Sequence, residues 1–174
     1  MTSDEQLRYP IGKFSPKEVY NPEEISALIS QIELLPGMIE DAISDFSQLQ
    51  FDTPYREGGW TIRQVIHHLS DSHMNAYIRF KWTLTENTPV IKAYYEKLWA
   101  QTPEIKADPF LSVALLKALH RKWVLLLRGL TASDLAKEFI HPETNKHISL
   151  ARLVALYAWH GKHHLGHIKL VGSK

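Results

Sequence analysis

Tyr157-Ala-Trp-His-Gly-Lys-His-His-Leu-Gly-His167 places four of the chain's ten histidines within eight residues. An α-helix turns once in about 3.6 residues, so His160 and His164 stand one above the other on a single face. Two imidazoles at this spacing suit a divalent metal, and helical bundles build such sites from inward-facing side chains. A third histidine, His67, lies in another strongly patterned segment, Gly58-Gly-Trp-Thr-Ile-Arg-Gln-Val-Ile-His-His-Leu-Ser-Asp71. The pattern therefore reads as a three-histidine metal site (His67, His160, His164) inside a helical bundle.

A helical wheel sharpens the last segment. With His160 at zero and ~100° per residue, Leu150, Leu153, Val154, Tyr157, Leu165 and Ile168 centre near roughly +80°, the buried side. His164 falls at about +40°, and His163 and His167 at about −60° and −20°. His160 and His164 thus border the core, while the overlapping pair His163/His167 turns further toward solvent. The wheel favours the first pair and leaves the second open. Gly161, at about +100°, would let another helix come close.

Outward from this helix, which Ser149 caps and which runs to about Gly172, three more long helical patterns emerge. The first spans Pro22 to Leu49 behind an Asn21 cap, with Pro36-Gly37 kinking or splitting it. The second starts at Thr61, whose capping-box partner is Gln64, with Trp60 and Val65 as a hydrophobic staple, and continues to about Glu86. The third begins near Asp108-Pro109 and ends before Gly129. Residues 87–108 form a long connection with a short helix around 92–99, and residues 130–148 a second connection with a helical turn at 133–138. No strand pattern of any length survives. The expected fold is all-α, a four-helix bundle in a single domain over residues 1–174.

Depth along the bundle constrains its order. His67 lies about 9 Å into the second helix, and His164 about 9 Å before the end of the fourth. These levels match only if the two helices are antiparallel, which requires one connection to cross the bundle lengthwise. The long 87–108 segment can do so, giving up-down-down-up. Asp71, one turn beyond His67, could accept the free N–H of that ring, or pair with a surface cation. His68, His73, His120, His141 and His147 read as non-ligands.

Twenty basic and nineteen acidic residues leave a net charge of +1, and basic residues are dispersed among acids, so nothing points to nucleic acid. With no cysteine, thiolate–zinc sites and disulfides are excluded, and a reducing cytosol is the expected compartment. The N-terminus lacks the apolar stretch of a signal peptide, and no apolar run approaches the roughly 20 residues that span a bilayer. Metalloprotease His-Glu-x-x-His, phosphate-loop and Gly-x-Ser-x-Gly motifs are absent. The lone Glu138-Phe-Ile-His141 runs into Pro142 and does not make a di-iron bundle.

The Gly58–Asp71 segment, followed about 90 residues later by His160-x-x-x-His164, resembles the DinB/YfiT-like metalloenzyme superfamily, and Tyr9-Pro-Ile-Gly-Lys-Phe14 is similar to its YfiT branch. Matched by position, the resemblance implies metal-binding roles for His67, His160 and His164. It also implies a homodimeric four-helix bundle binding one zinc or nickel ion per chain, with zinc favoured in the cell. Two activities are consistent with it: hydrolysis, or S-transfer from a low-molecular-weight thiol such as bacillithiol to an electrophile. A free thiol with a pKa near ~8.5 is activated beside a cation, and water likewise. Hydrolysis would want a nearby acid or base, for which Asp71 is the nominee, and this tilts the reading toward transfer. A third reading is a non-catalytic metal-binding dimer.

Overall fold

The computed structural model describes residues 3–172. In chain order it contains α1 (Asp4–Arg8), α2 (Pro22–Ile43), α3 (Gln48–Phe51), α4 (Ile62–Thr85) and α5 (Glu96–Trp99). A 3-10 turn (Pro103–Lys106), α6 (Phe110–Arg128), α7 (Ala132–Leu135), β1 (Glu138–His141), β2 (Lys146–Ser149) and α8 (Leu150–Gly172) follow. The helix starts follow the capping chemistry written in the sequence. Asn21 accepts from the Glu24 N–H at 2.8 Å, and Thr61 from the Gln64 N–H at 3.2 Å, each with the reciprocal bond of a capping box. Before α6 the Asp108 carboxylate accepts from the Phe110 N–H at 3.0 Å.

The four long helices bury two apolar clusters stacked along the bundle. Ile25, Ile29, Ile32, Phe80, Trp123, Leu127, Leu150 and Val154 fill one end. Leu35, Ile39, Ile43, Ile62, Ile66, Val113, Leu116, Leu165 and Ile168 fill the other. Because α2 and α8 pass from the first cluster to the second while α4 and α6 pass back, the order is up-down-down-up. Helices α2 and α4 are diagonal partners, each packed against α6 and α8. The segment between α4 and α6 is the lengthwise crossover. It starts where the Ile91 N–H meets the Ile140 carbonyl (3.1 Å) and finishes where the Ala107 carbonyl accepts from Arg63 (2.9 Å).

Two local expectations are corrected. First, α2 runs unbroken through Pro36, which lies buried inside it, and ends at Ile43 rather than near Leu49. Second, residues 138–149 form an antiparallel hairpin, where the sequence pattern left a connection. Its strands are only four residues long, too short to establish a period. Phe139 pairs with Ile148, and Asn145, at φ 51°, takes the left-handed turn position that its side chain tolerates. The parallel bridge of Val90 to Ile140 ties this hairpin to the crossover. Among the described residues no helix is long and apolar enough to cross a membrane.

Candidate metal centre

Where α8 passes α4, three imidazoles converge. His68, His160 and His164 each offer one nitrogen, all within 4.8 Å of one another. His68 Nε2 and His160 Nε2 are 3.3 Å apart. Two ligands on a tetrahedral ion at ~2.0–2.1 Å bonds sit about 3.3–3.4 Å apart, so this separation already suits a shared cation. Gly161 eases the packing from behind: a Cβ there would meet Leu35 Cδ2 at 2.3 Å, so the Leu35 side chain would have to move aside. His68 is held from the front by Trp60, ring centroids 4.8 Å apart, and Gln64 ties the adjacent helix start to the crossover through the Ala100 carbonyl at 2.9 Å.

Hydrogen bonds decide which nitrogen His160 and His164 present. The Ile32 carbonyl can only accept, so His120 Nδ1, 2.6 Å away, carries the proton. Burial pushes His120 down to about 4, so the ring is neutral and its Nε2 must accept from His73 Nδ1–H at 2.9 Å. His73 is completely buried and held neutral by that burial, so its Nε2 accepts from His160 Nδ1–H at 3.3 Å. The relay ends with the His160 Nε2 lone pair aimed at His68 and His164.

A shorter relay does the same for His164. The Arg8 carbonyl accepts from His167 Nε2–H at 3.1 Å, which leaves His167 Nδ1 to accept from His164 Nδ1–H at 3.2 Å. His164 then presents Nε2. Burial, reinforced by the neighbouring rings, holds His160 and His164 well below the ordinary imidazole range, and burial pushes His68 to about 4. All three rings are therefore neutral donors at pH 7, as ligation requires. His163, His164 and His167 also lie close together. In that trio, however, the facing nitrogens of His164 and His167 are spent on each other and on Arg8.

The structure does not bring His67 to His160 and His164. Its Nδ1 lies 2.7 Å from Ser112 Oγ and its Nε2 3.4 Å from the Ala107 carbonyl, on the flank of α4 that meets α6. His68, one residue and about 100° further round, faces α8 instead. Asp71 is not the partner of His67 either. It is half-buried, and burial with the nearby Glu104 charge pushes its carboxyl up to about 6. His163 and His167, assigned by the wheel to the solvent side, are 8% and 2% exposed. They are covered by chain outside the bundle: Tyr55 stacks on His167 at 3.9 Å, Tyr9 lies 6.0 Å from His163, and Pro10 packs on Gly166.

The three nitrogens open onto a cleft of ≈ 730 Å³ walled by Tyr55, Trp60 and Trp159. Arg8, Arg56 and Lys97 also line it, with the exposed Glu96; the Asp4 carboxylate behind the rim pairs with both Arg8 (2.9 Å) and Arg56 (3.6 Å). The cleft is thus aromatic-walled, and counting Asp4 and Glu96 against its three cations leaves one positive charge.

Comparison with known proteins places this chain in a family. The DinB superfamily profile matches residues 31–168, and the chain belongs to that superfamily. A Bacillus cereus relative named "Putative metal-dependent hydrolase" is 52% identical over 162 residues, covering 93% of both chains, and a Bacillus anthracis relative of the same description matches equally. Among solved structures, YfiT from Bacillus subtilis, described as a probable metal-dependent hydrolase with an unusual four-helix bundle topology, superposes with a TM-score of 0.95. The two chains are 46% identical over 97% of each.

Proposed function

We propose that this protein is a metal-dependent enzyme that joins a small anionic thiol, of the bacillithiol type, to an electrophile, with His68, His160 and His164 holding the ion. The observation that carries the reading is the convergence of three neutral imidazoles, those of His160 and His164 with their ligating nitrogens fixed by hydrogen bonds, at the wall of an open cleft. The all-nitrogen donor set fits zinc or nickel. A divalent ion there would supply Lewis acidity, lowering the pKa of a thiol or water beside it toward neutrality. The chain's own residues do the rest. Lys97, with Arg8 and Arg56 sharing the Asp4 carboxylate beside it, attracts and orients the anionic thiol, and Trp60 and Trp159 supply apolar walls for an electrophile. An open cleft beside the histidines weighs against a purely structural bundle.

Hydrolysis is the second reading, favoured by the names of the relatives and by Glu96, the one carboxylate at the cleft that could move a proton. Zinc-loaded protein incubated with bacillithiol and monobromobimane tests the first reading. Conjugation at least ten-fold above the uncatalysed rate, lost in His160→Ala and kept in Glu96→Gln, supports transfer. No acceleration, together with thiol-independent ester hydrolysis that Glu96→Gln removes, supports the second.

A further inference from the structure

A second chamber of ≈ 640 Å³ lies across α5 from the histidine cleft, and the two share His160, Glu96 and Lys97 as wall residues. Arg79 lines it and is only 9% exposed. Among the described residues its guanidinium makes no hydrogen bond and no ion pair, and its Nε is buried without a partner. Arg63, by contrast, spends its guanidinium on Asp52, Gln48 and the Ala107 carbonyl. An unpaired buried cation destabilises the folded protein, and a partnerless buried donor of this kind calls for a partner from outside the chain. His141 Nδ1 is a second buried, partnerless nitrogen in the same chamber. Ser72 and Tyr157, 3.4 Å apart, add hydroxyls to the wall, while the chamber's carboxylates, Glu96 and Glu143, are exposed and form no ion pair with Arg79.

We propose that this chamber is a binding subsite for the oxyanion of a small molecule, a carboxylate or a phosphate, held by the Arg79 guanidinium. The planar fork of arginine matches both anions in a two-point contact. His160 lines the same chamber, so a ligand anchored at Arg79 would seat the anionic end of a substrate whose reacting end reaches toward the metal centre. That last step rests on the catalytic reading above; anion binding itself does not.

The test uses metal-free protein, so that no ion competes for the anion. Calorimetric titration with succinate and with inorganic phosphate should detect binding of at least one, and the tighter of the two identifies the anion class. Arg79→Gln should weaken that binding at least ten-fold while leaving the melting temperature equal or higher, because an uncompensated buried charge has been removed. In the unmodified protein the Arg79 Nε–H resonance, assigned by its loss in Arg79→Lys, should shift on titration. Failure of both anions to bind, unchanged affinity in Arg79→Gln, or an unmoved Arg79 resonance would overturn the subsite. None of these outcomes bears on thiol conjugation, so the two proposals fail separately.

Discussion

The Ile32 carbonyl lies 2.6 Å from His120 Nδ1, and its usual helical donor, the N–H four residues on, is missing because residue 36 is proline. The proline inside α2 therefore frees the acceptor from which the His120–His73–His160 relay starts. A feature that looks like a helix defect in the sequence sets the tautomer of a histidine in the candidate metal centre.

The relay fixes tautomers that can be observed directly. In metal-free protein, long-range nitrogen–proton NMR should show His120, His73, His160 and His164 protonated at Nδ1, and His167 at Nε2. His120→Leu removes the acceptor for His73 and should weaken zinc binding about ten-fold, within the roughly 10–100-fold range for partners of metal-bound histidines. His120→Gln, whose amide oxygen can still accept from His73, should recover part of it. A His160 ring protonated at Nε2 would contradict the relay.

Acid should unfold the metal-free protein early. The folded pKa of His120 is lowered to about 4 from an ordinary 6.5 by burial. Between these values the unfolded chain binds a proton that the folded chain refuses, so stability is full above about pH 6.5 and is lost as pH falls toward 4. Urea midpoints measured across this window should fall steeply, and less so in His120→Leu. Midpoints independent of pH would count against neutral buried rings.

Asp71 should act in the opposite sense. Its folded pKa is raised from 3.8 to about 6, by burial first and the Glu104 charge second. Its contribution is most favourable below about pH 3.8 and is lost as pH rises through 6. Asp71→Asn should therefore raise the melting temperature at pH 7.5 and bring no gain at pH 4. A lowered melting temperature at pH 7.5 would show that the ionised carboxylate has a stabilising partner.

Gly161 should be intolerant. In Gly161→Ala the new methyl falls 2.3 Å from Leu35 Cδ2, and Leu35 is itself only 2% exposed, so Leu35 must repack within a filled core. A loss of about 1–3 kcal/mol in unfolding free energy is expected, as for overpacked cores, with weaker metal binding at the neighbouring His160.

Much of this was legible in the sequence. The caps at Asn21 and Thr61, the crossover and the up-down-down-up order follow from local chemistry and from matching histidine depths. The pairing of His160 with His164 was visible as i, i+4 spacing. Choosing between the adjacent His67 and His68 was not, because α4 is diagonal to α2 and buries both flanks, one on α6 and one on α8. His163 and His167 were misread for a related reason: Tyr9, Pro10 and Tyr55 cover them from segments no helical period reveals. Ile32 offered one readable signal, since a proline four residues after it frees its carbonyl.

Metal affinity in paired alanine variants tests the centre most directly. Zinc competition against a chromophoric chelator should show one tight site per chain, weakened at least a hundred-fold in His68→Ala and His160→Ala and essentially unchanged in His67→Ala. Loss of the ion in His67→Ala with its retention in His68→Ala would contradict the assignment of the three converging imidazoles.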